Sequence, residues 1–338
     1  MAKNLDTLKL VALATKAPSG HNTQPWCFFT NENEIQIHPD FTRALPVVDA
    51  DNHALYISLG CAVENIVIAA RKFGYDSAIH FSATSSGTEY ISIKFIEGEK
   101  AEDDDLFDYI EDRQVTRSGY RKEAVSLEHL EKLQNSFSFD TVRIKFFSAP
   151  DEIKAIEPFI IEGSNLQFQN RKFIDELVSW FRFSRKEAEV KGDGLWTACM
   201  GLPKMNRFIG NLVMKYFVSQ KSESKRWRKL IRSSAGFAMF IVPENTVPNW
   251  VTLGRAFQRF GLTATKLNIC HSHVNMPCEE LSIRSKMIEQ FHFGASQPLL
   301  LIRFGYGEKL PYSFRRPVAD VLVNRTKHYL SEKQHMHG

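Results

Sequence analysis

Two groups of residues in this 338-residue chain have the types and spacing to do chemistry. The first is the run Ala17-Pro18-Ser19-Gly20-His21-Asn22-Thr23-Gln24-Pro25-Trp26. It places small residues, a hydroxyl, two amides and free backbone N–H groups in one loop, a set that can ring a flat polar heterocycle. The plainer reading is a turn whose side chains cap the preceding helix. The second group is Arg113, Arg117, Arg315 and Arg316. Arg113 and Arg117 are spaced i, i+4 and share one face if their segment is helical. Arg315-Arg316 precedes Pro317, so it belongs to an extended stretch. Guanidinium groups from two distant segments suit a phosphate, which arginine grips with a planar pair of donors. Singly, each arginine reads as a solvated surface charge.

No side chain stands out as a catalytic acid, base or nucleophile. The chain shows no Ser-His-Asp order, no paired-carboxylate signature, no Walker loop and no GxGxxG. His21 has two readings, a polar neighbour of a ligand or a loop-stabilising hydrogen bond. The five cysteines are odd in number and form no CxxC, so they read as buried thiols. Cys270-His271-Ser272-His273 with Cys278 fits no common zinc spacing, and no metal site is expected.

The elements that must position these groups follow from periodicity and turn chemistry. Residues 4–15 read as a helix stopped by Pro18-Ser19-Gly20, and 26–29 and 35–38 as strands. A long helix over 53–74 closes at Gly74, and strands follow near 77–83 and 89–96. After an acidic connector, 97–105, come helices at 106–112 and 126–135, a strand at 142–147 and helical periodicity over 152–190. Residues 191–232 are glycine-rich and then basic. A strand at 235–242, a helix at 248–269 and a strand at 298–304 restore core patterning. Ser58-Leu59-Gly60-Cys61-Ala62 and Thr252-Leu253-Gly254-Arg255-Ala256 both open a long helix with Leu-Gly-x-Ala, 194 positions apart. That match points to an internal duplication or to chance helix composition.

Composition narrows the class. Hydrophobic residues make up 43% and charged residues 24%, with 26 Phe, which excludes disorder over most of the chain. The net charge of +4 is too even for a dedicated nucleic-acid binder. No run of about 18 apolar residues is evident, so no membrane-spanning helix is expected, and the chain reads as cytoplasmic.

The run from Ala17 to Trp26 resembles the AlaProSer-x-x-Asn-x-Gln-Pro-Trp motif of the nitroreductase family of flavoproteins. Ile110 to Tyr120 is similar to that family's N-terminal arginine motif. Arg303-Phe304-Gly305-Tyr306-Gly307 through Arg315-Arg316-Pro317 is similar to its C-terminal strand and phosphate-binding tail. The arginine motif follows the Pro-Trp motif here, the reverse of the usual order. That order resembles the Acg-type branch, in which two nitroreductase-like halves are fused in one chain. The resemblance implies an α+β (α/β sandwich) fold of two pseudo-symmetric halves, residues 1–105 and 106–326, with a lid-like insertion at about 180–232 and a polar tail at 327–338. It implies one site for FMN (flavin mononucleotide) at the seam, with contacts from Pro18, Ser19, Gly20 and Asn22 and phosphate contacts from Arg113 and Arg117 with Arg315 or Arg316. Trp180, Phe181, Phe183 and Trp196 of the insertion would lie against the flavin pocket. The chain departs from the pattern at Gln114, where a second arginine is usual, and at Val115, where a hydroxyl is usual. Phosphate binding would then lean on backbone N–H groups and Thr116.

The function so implied is FMN-dependent transfer of a hydride from NAD(P)H to nitroaromatics, quinones or similar flat small-molecule acceptors. The alternative is a protein that sequesters FMN under a closed lid. An internal pseudo-dimer removes the usual need to dimerise and leaves further association open. No nucleic-acid or membrane partner is expected.

Overall fold

The computed structural model describes residues 5–98, 105–202, 206–216 and 219–323. The polar tail 327–338 and most of the 97–105 connector lie outside them. The first part of the chain runs α1 (Thr7–Ala14), β1 (Trp26–Thr30), β2 (Glu34–Pro39), α2 (His53–Lys72), β3 (Tyr75–Ala83) and β4 (Glu89–Glu97). Asp6 caps α1 by accepting from the Lys9 N–H at 3.0 Å. There follow α3 (Leu127–Gln134), capped by Ser126 as its sequence indicates, β5 (Arg143–Phe147), α4 (Pro150–Gln169), α5 (Arg171–Trp180), β6 (Phe181–Arg182), α6 (Arg185–Lys191) and β7 (Leu195–Trp196). The chain ends with α7 (Arg207–Tyr216), α8 (Gln220–Ser233), β8 (Gly236–Val242), α9 (Val247–Lys266), β9 (Cys270–His273), α10 (Met276–Glu279), α11 (Leu281–Gln290), β10 (Gln297–Gly305) and α12 (Val318–Val321).

Eight of the strands form two antiparallel four-stranded sheets, ordered β1-β2-β4-β3 and β5-β8-β10-β9, and β6 and β7 form a small parallel pair. Each four-stranded sheet has one long helix between its second and third strands in chain order, α2 in the first and α9 in the second. The two sheets therefore share one topology. They differ in what joins the first two strands: a tight turn at 31–33 in one, and the whole excursion from α4 to α8 in the other. Residues 180–232 fall inside that excursion.

The two long helices cross at the repeated Leu-Gly-x-Ala segments. A Cβ on Gly60 would stand 2.1 Å from the Val251 carbonyl oxygen, and one on Gly254 would stand 2.0 Å from the Ile57 oxygen. The Cys61 thiol donates to the Gly254 carbonyl at 3.2 Å. Beyond the crossing, buried Glu64 accepts from Arg255 Nε at 2.7 Å and Arg259 Nη1 at 3.0 Å, and Gln258 donates to Asn65 at 2.6 Å. Leu59, Ile66, Val251, Leu253 and Phe257 carry the surrounding apolar core.

Several sequence expectations change. Residues 106–112 are not a helix: only a 3-10 turn forms at Phe107–Tyr109, and 113–125 has no regular structure. The backbone there bonds to β9 instead, with the Thr116 N–H donating to the His271 carbonyl at 3.0 Å. The 152–190 periodicity is broken at Asn170, which caps α5 by accepting from Lys172 N, and at Phe181–Arg182, which pair with Leu195–Trp196. Helix α2 is long and apolar enough to cross a membrane, against the expectation, with mean hydropathy 1.5 over its most apolar window. That window is 89% buried inside the fold, which accounts for its apolar composition.

Candidate cofactor pocket

The loop after α1 is held in a strained shape by its own side chains. Ser19 Oγ accepts from the Gln24 N–H at 2.9 Å. His21, Asn22 and Gln24 all have φ between 46° and 54°, the left-handed region, which Asn and, less readily, His tolerate and Gln does not favour. Contacts with two distant segments offset that cost. Gln24, fully buried, donates to the Gly192 carbonyl at 2.8 Å and accepts from the Arg316 N–H at 2.8 Å. Asn22 Nδ2 donates to the Gly194 and Phe314 carbonyls at 3.1 and 3.2 Å. The loop is thus a junction between the α4–α8 excursion and the C-terminal strand tail.

Beside it lies a cavity of about 340 Å³. Pro18, Ser19, Gly20 and His21 form one wall, while Ile57 and Ser58 of α2 and Phe257 of α9 reach it from the helix crossing. Its size and mixed lining are those of a small-molecule site. Asn22 is not among its lining residues, because its amide is spent on the chain contacts above. Of the four aromatic residues of the excursion, Phe181 lines the cavity, and Phe183 stacks behind it at 5.6 Å. Trp180 packs against the Arg43 and Arg182 guanidinium groups, and Trp196 against Phe314.

Arginines converge on the same region without a shared helix. Arg117 lines the cavity, and Arg113 and Arg315 both donate to the Lys16 carbonyl at 3.3 Å. None of the three forms an ion pair among the described residues. Arg113 Nε and Nη1 and Arg315 Nε are buried without hydrogen-bond partners. Burial pushes Arg113 down to about 10, and burial with the adjacent positive charges of Arg113 and Arg117 pushes Arg315 down to about 9. Both remain cations at neutral pH. The neighbouring histidines are held neutral: burial and then Arg117 lower His21 to about 4, and burial with both Arg117 and Arg113 lowers His273 to about 3. Buried, unpaired guanidinium groups with idle donors call for an anion.

Arg316 is engaged elsewhere. It donates to the Gln24 carbonyl at 3.1 Å and the Asp320 carbonyl at 2.7 Å and lies 4.0 Å from Asp40. Of the two alternatives in the tail, Arg315 is the one that joins the trio. Gln114 accepts from the Leu310 N–H at 3.2 Å. The Thr116 N–H is used by His271, and its carbonyl accepts from Tyr120 Oη at 2.8 Å, so Thr116 offers no free backbone donor here.

Two ties fasten the excursion to the first part of the chain, one ionic and one through backbone N–H groups. Asp193 accepts from both Arg43 and Arg182, the latter at 2.6 Å. Glu176 accepts from the Val47 and Val48 N–H groups at 2.8 and 3.1 Å.

The sequence reading missed Glu279, which lines the cavity from α10. Gln167 and Asn275 donate to its two oxygens at 2.7 and 3.2 Å, and burial pushes the carboxyl up to about 7. It also missed β9, which carries His271 and His273. The short run Cys270-His271-Ser272-His273 alternates along a strand, and that alternation was the available signal.

No family model matches the chain. Two proteins of Mycobacterium tuberculosis, from strains CDC 1551 and H37Rv, carry the assignment NAD(P)H nitroreductase in their names. Each is 21% identical over 329 residues, covering 93% of this chain and 90% of the relative. The chain resembles NAD(P)H nitroreductases along nearly its whole length. Among solved structures, the FMN-dependent nitroreductase NfnB of Mycobacterium smegmatis in complex with NADPH is 14% identical, covers 65% of this chain and 97% of its own, and has a TM-score of 0.41. A nitroreductase-like protein of Bacillus cereus is 12% identical with a TM-score of 0.40, covering 65% of this chain and 95% of its own.

Proposed function

We propose that this nitroreductase-like protein binds FMN and acts as an FMN-dependent NAD(P)H oxidoreductase on nitroaromatics, quinones or similar flat acceptors. The observation that carries the reading is a group of three arginines with no carboxylate partner: Arg117 lines the cavity walled by Pro18, Ser19, Gly20 and His21, and next to it Arg113 and Arg315 keep buried donors without hydrogen-bond partners. The trio fits a phosphate: the three guanidinium groups are close enough to depress one another's proton affinity, with no carboxylate to neutralise them. The loop fits the edge of a flat heterocycle, since it brings small residues and backbone donors to the wall.

A flavin held here would supply the redox chemistry, the movement of a hydride and electrons between NAD(P)H and the acceptor. The chain's own residues bind and orient. The arginines anchor the anionic end. Ile57, Phe257 and Phe181 keep the cavity apolar, and the neutral histidines add polarity without charge. In this reading the two sheet-and-helix units are fused halves, the second giving the arginines and the first the loop, with one site at their seam.

Purified protein should carry about one FMN per chain and absorb in the flavin bands. Colourless protein that rejects added FMN would refute the reading. A second reading, sequestration of FMN, is favoured by the ties from Asp193, Glu176 and Asn22 that hold the excursion down. Anaerobic NADPH separates the two: rapid bleaching of the flavin bands supports the enzyme, and a flavin that stays oxidised supports sequestration.

A further inference from the structure

The cavity wall opposite in chemistry to the arginine trio is built around Glu279. Its carboxyl reaches the cavity from α10, and both of its oxygens are held by uncharged amide donors, Gln167 from α4 and Asn275 from the cap of α10. Ser164, whose buried hydroxyl has no partner, lines the same wall. The charged and titratable groups that face Glu279 are His53, the first residue of α2, and Asp49, in the turn before it. His53 Nδ1 lies 2.5 Å from the half-exposed Asp51 and 3.2 Å from Asp49, and Asp49 also accepts from the Ala54 and Leu55 N–H groups that open the helix. Arg117, Arg303, His273 and the Glu223–Arg226 pair line the cavity from other elements and do not bond to Glu279. Glu279 therefore bonds to no cation, His53 acting on it only at a distance, and its two amide donors hold its orientation.

Resting on the oxidoreductase reading above, we propose that Glu279 is the proton donor to the acceptor in this cavity. Reduction of a quinone or nitro group by a hydride from reduced flavin leaves negative charge on an acceptor oxygen. The Glu279 O–H bond breaks, its proton goes to that oxygen, and the carboxylate left behind is held by Gln167 and Asn275. Solvent restores the proton once product leaves. The acceptor has then gained two electrons as hydride and one proton, and the carboxyl returns to its starting state. The carboxyl suits this task because its burial places it at about 7, where it is protonated for much of the time near neutral pH and still gives up its proton readily. The acceptor class that fits is one with an oxygen that becomes basic on reduction, namely a quinone or a nitroaromatic.

The test uses the FMN-loaded full chain and a water-soluble benzoquinone. The rate of quinone reduction should fall as pH rises through about 7, and Glu279→Gln should lower it by about 100-fold or more and remove that limb of the profile. Glu279→Asp should restore part of the rate and a shifted limb, which a merely structural role would not do. Flavin content of each variant checks that the pocket is intact. An infrared titration of wild type, read in the carboxyl C=O stretch and independent of turnover, should show one group titrating near pH 7 that is absent in Glu279→Gln. Protein that takes up no FMN overturns the oxidoreductase reading itself. FMN-loaded protein that reduces the quinone with the same pH profile in wild type and Glu279→Gln, or that shows no carboxyl titrating between pH 6 and 8, overturns only the role of Glu279.

Discussion

Gly60 and Gly254 touch backbone to backbone at the crossing of the two long helices, and neither position has room for a methyl group. The contact also positions part of the pocket: α2 delivers Ile57 and Ser58 to the cavity, and α9 delivers Phe257.

Gly60→Ala and Gly254→Ala should each destabilise the protein. The added Cβ meets a carbonyl oxygen rather than a flexible side chain, so the helices must separate, at a cost of about 1–3 kcal/mol. Urea midpoints measure this. An unchanged midpoint in either variant would show that the crossing is looser than described.

Arg113→Ala with Arg117→Ala should lose FMN. Each charged hydrogen bond removed costs about 1.5–3 kcal/mol, or roughly 10- to 150-fold in Kd. Arg316→Ala should behave differently, lowering the melting temperature through the loss of its Gln24 and Asp320 contacts. Fluorescence titration with FMN distinguishes the two outcomes. Equal flavin affinity in wild type and the double variant would misplace the phosphate.

Asp193→Asn should loosen the excursion, because Arg43 and Arg182 would lose the carboxylate they share. If the excursion controls access, the variant should exchange bound FMN faster and reduce bulky acceptors with a higher kcat/KM. Stopped-flow FMN release is the direct measurement.

Acid should destabilise the cofactor-free protein partly through the pocket histidines. His21 and His273 sit well below their usual 6.5, at about 4 and about 3, mainly from burial. Between about pH 6.5 and 4 the unfolded chain binds protons that the folded chain does not, so stability falls as pH falls. The slope is at most about 1.4 kcal/mol per pH unit for each histidine. His21→Asn, a residue comfortable at positive φ, should remove about one proton's worth of slope in urea unfolding between pH 6.5 and 4.5.

The sequence alone showed that Pro18 to Gln24 is an irregular polar loop between a helix and a strand. It also showed that two long helices carry a repeated Leu-Gly-x-Ala segment. These features are local: turn residues, small-residue spacing and a 3.6-residue period leave their mark whatever the rest of the chain does. The arginines were visible as residue types, but their convergence was not, because no helix carries Arg113 and Arg117. Thr116 bonds to β9 instead, a partner 155 positions away in sequence. Only the tertiary structure separated Arg315 from Arg316, since the choice depends on which guanidinium meets the Gln24 carbonyl. Only it placed Glu279 in the cavity, where burial raises a carboxyl that looks like any surface acid in the sequence. Local preference is written in neighbouring residues, whereas charge burial and donor pairing depend on segments brought together across the whole chain.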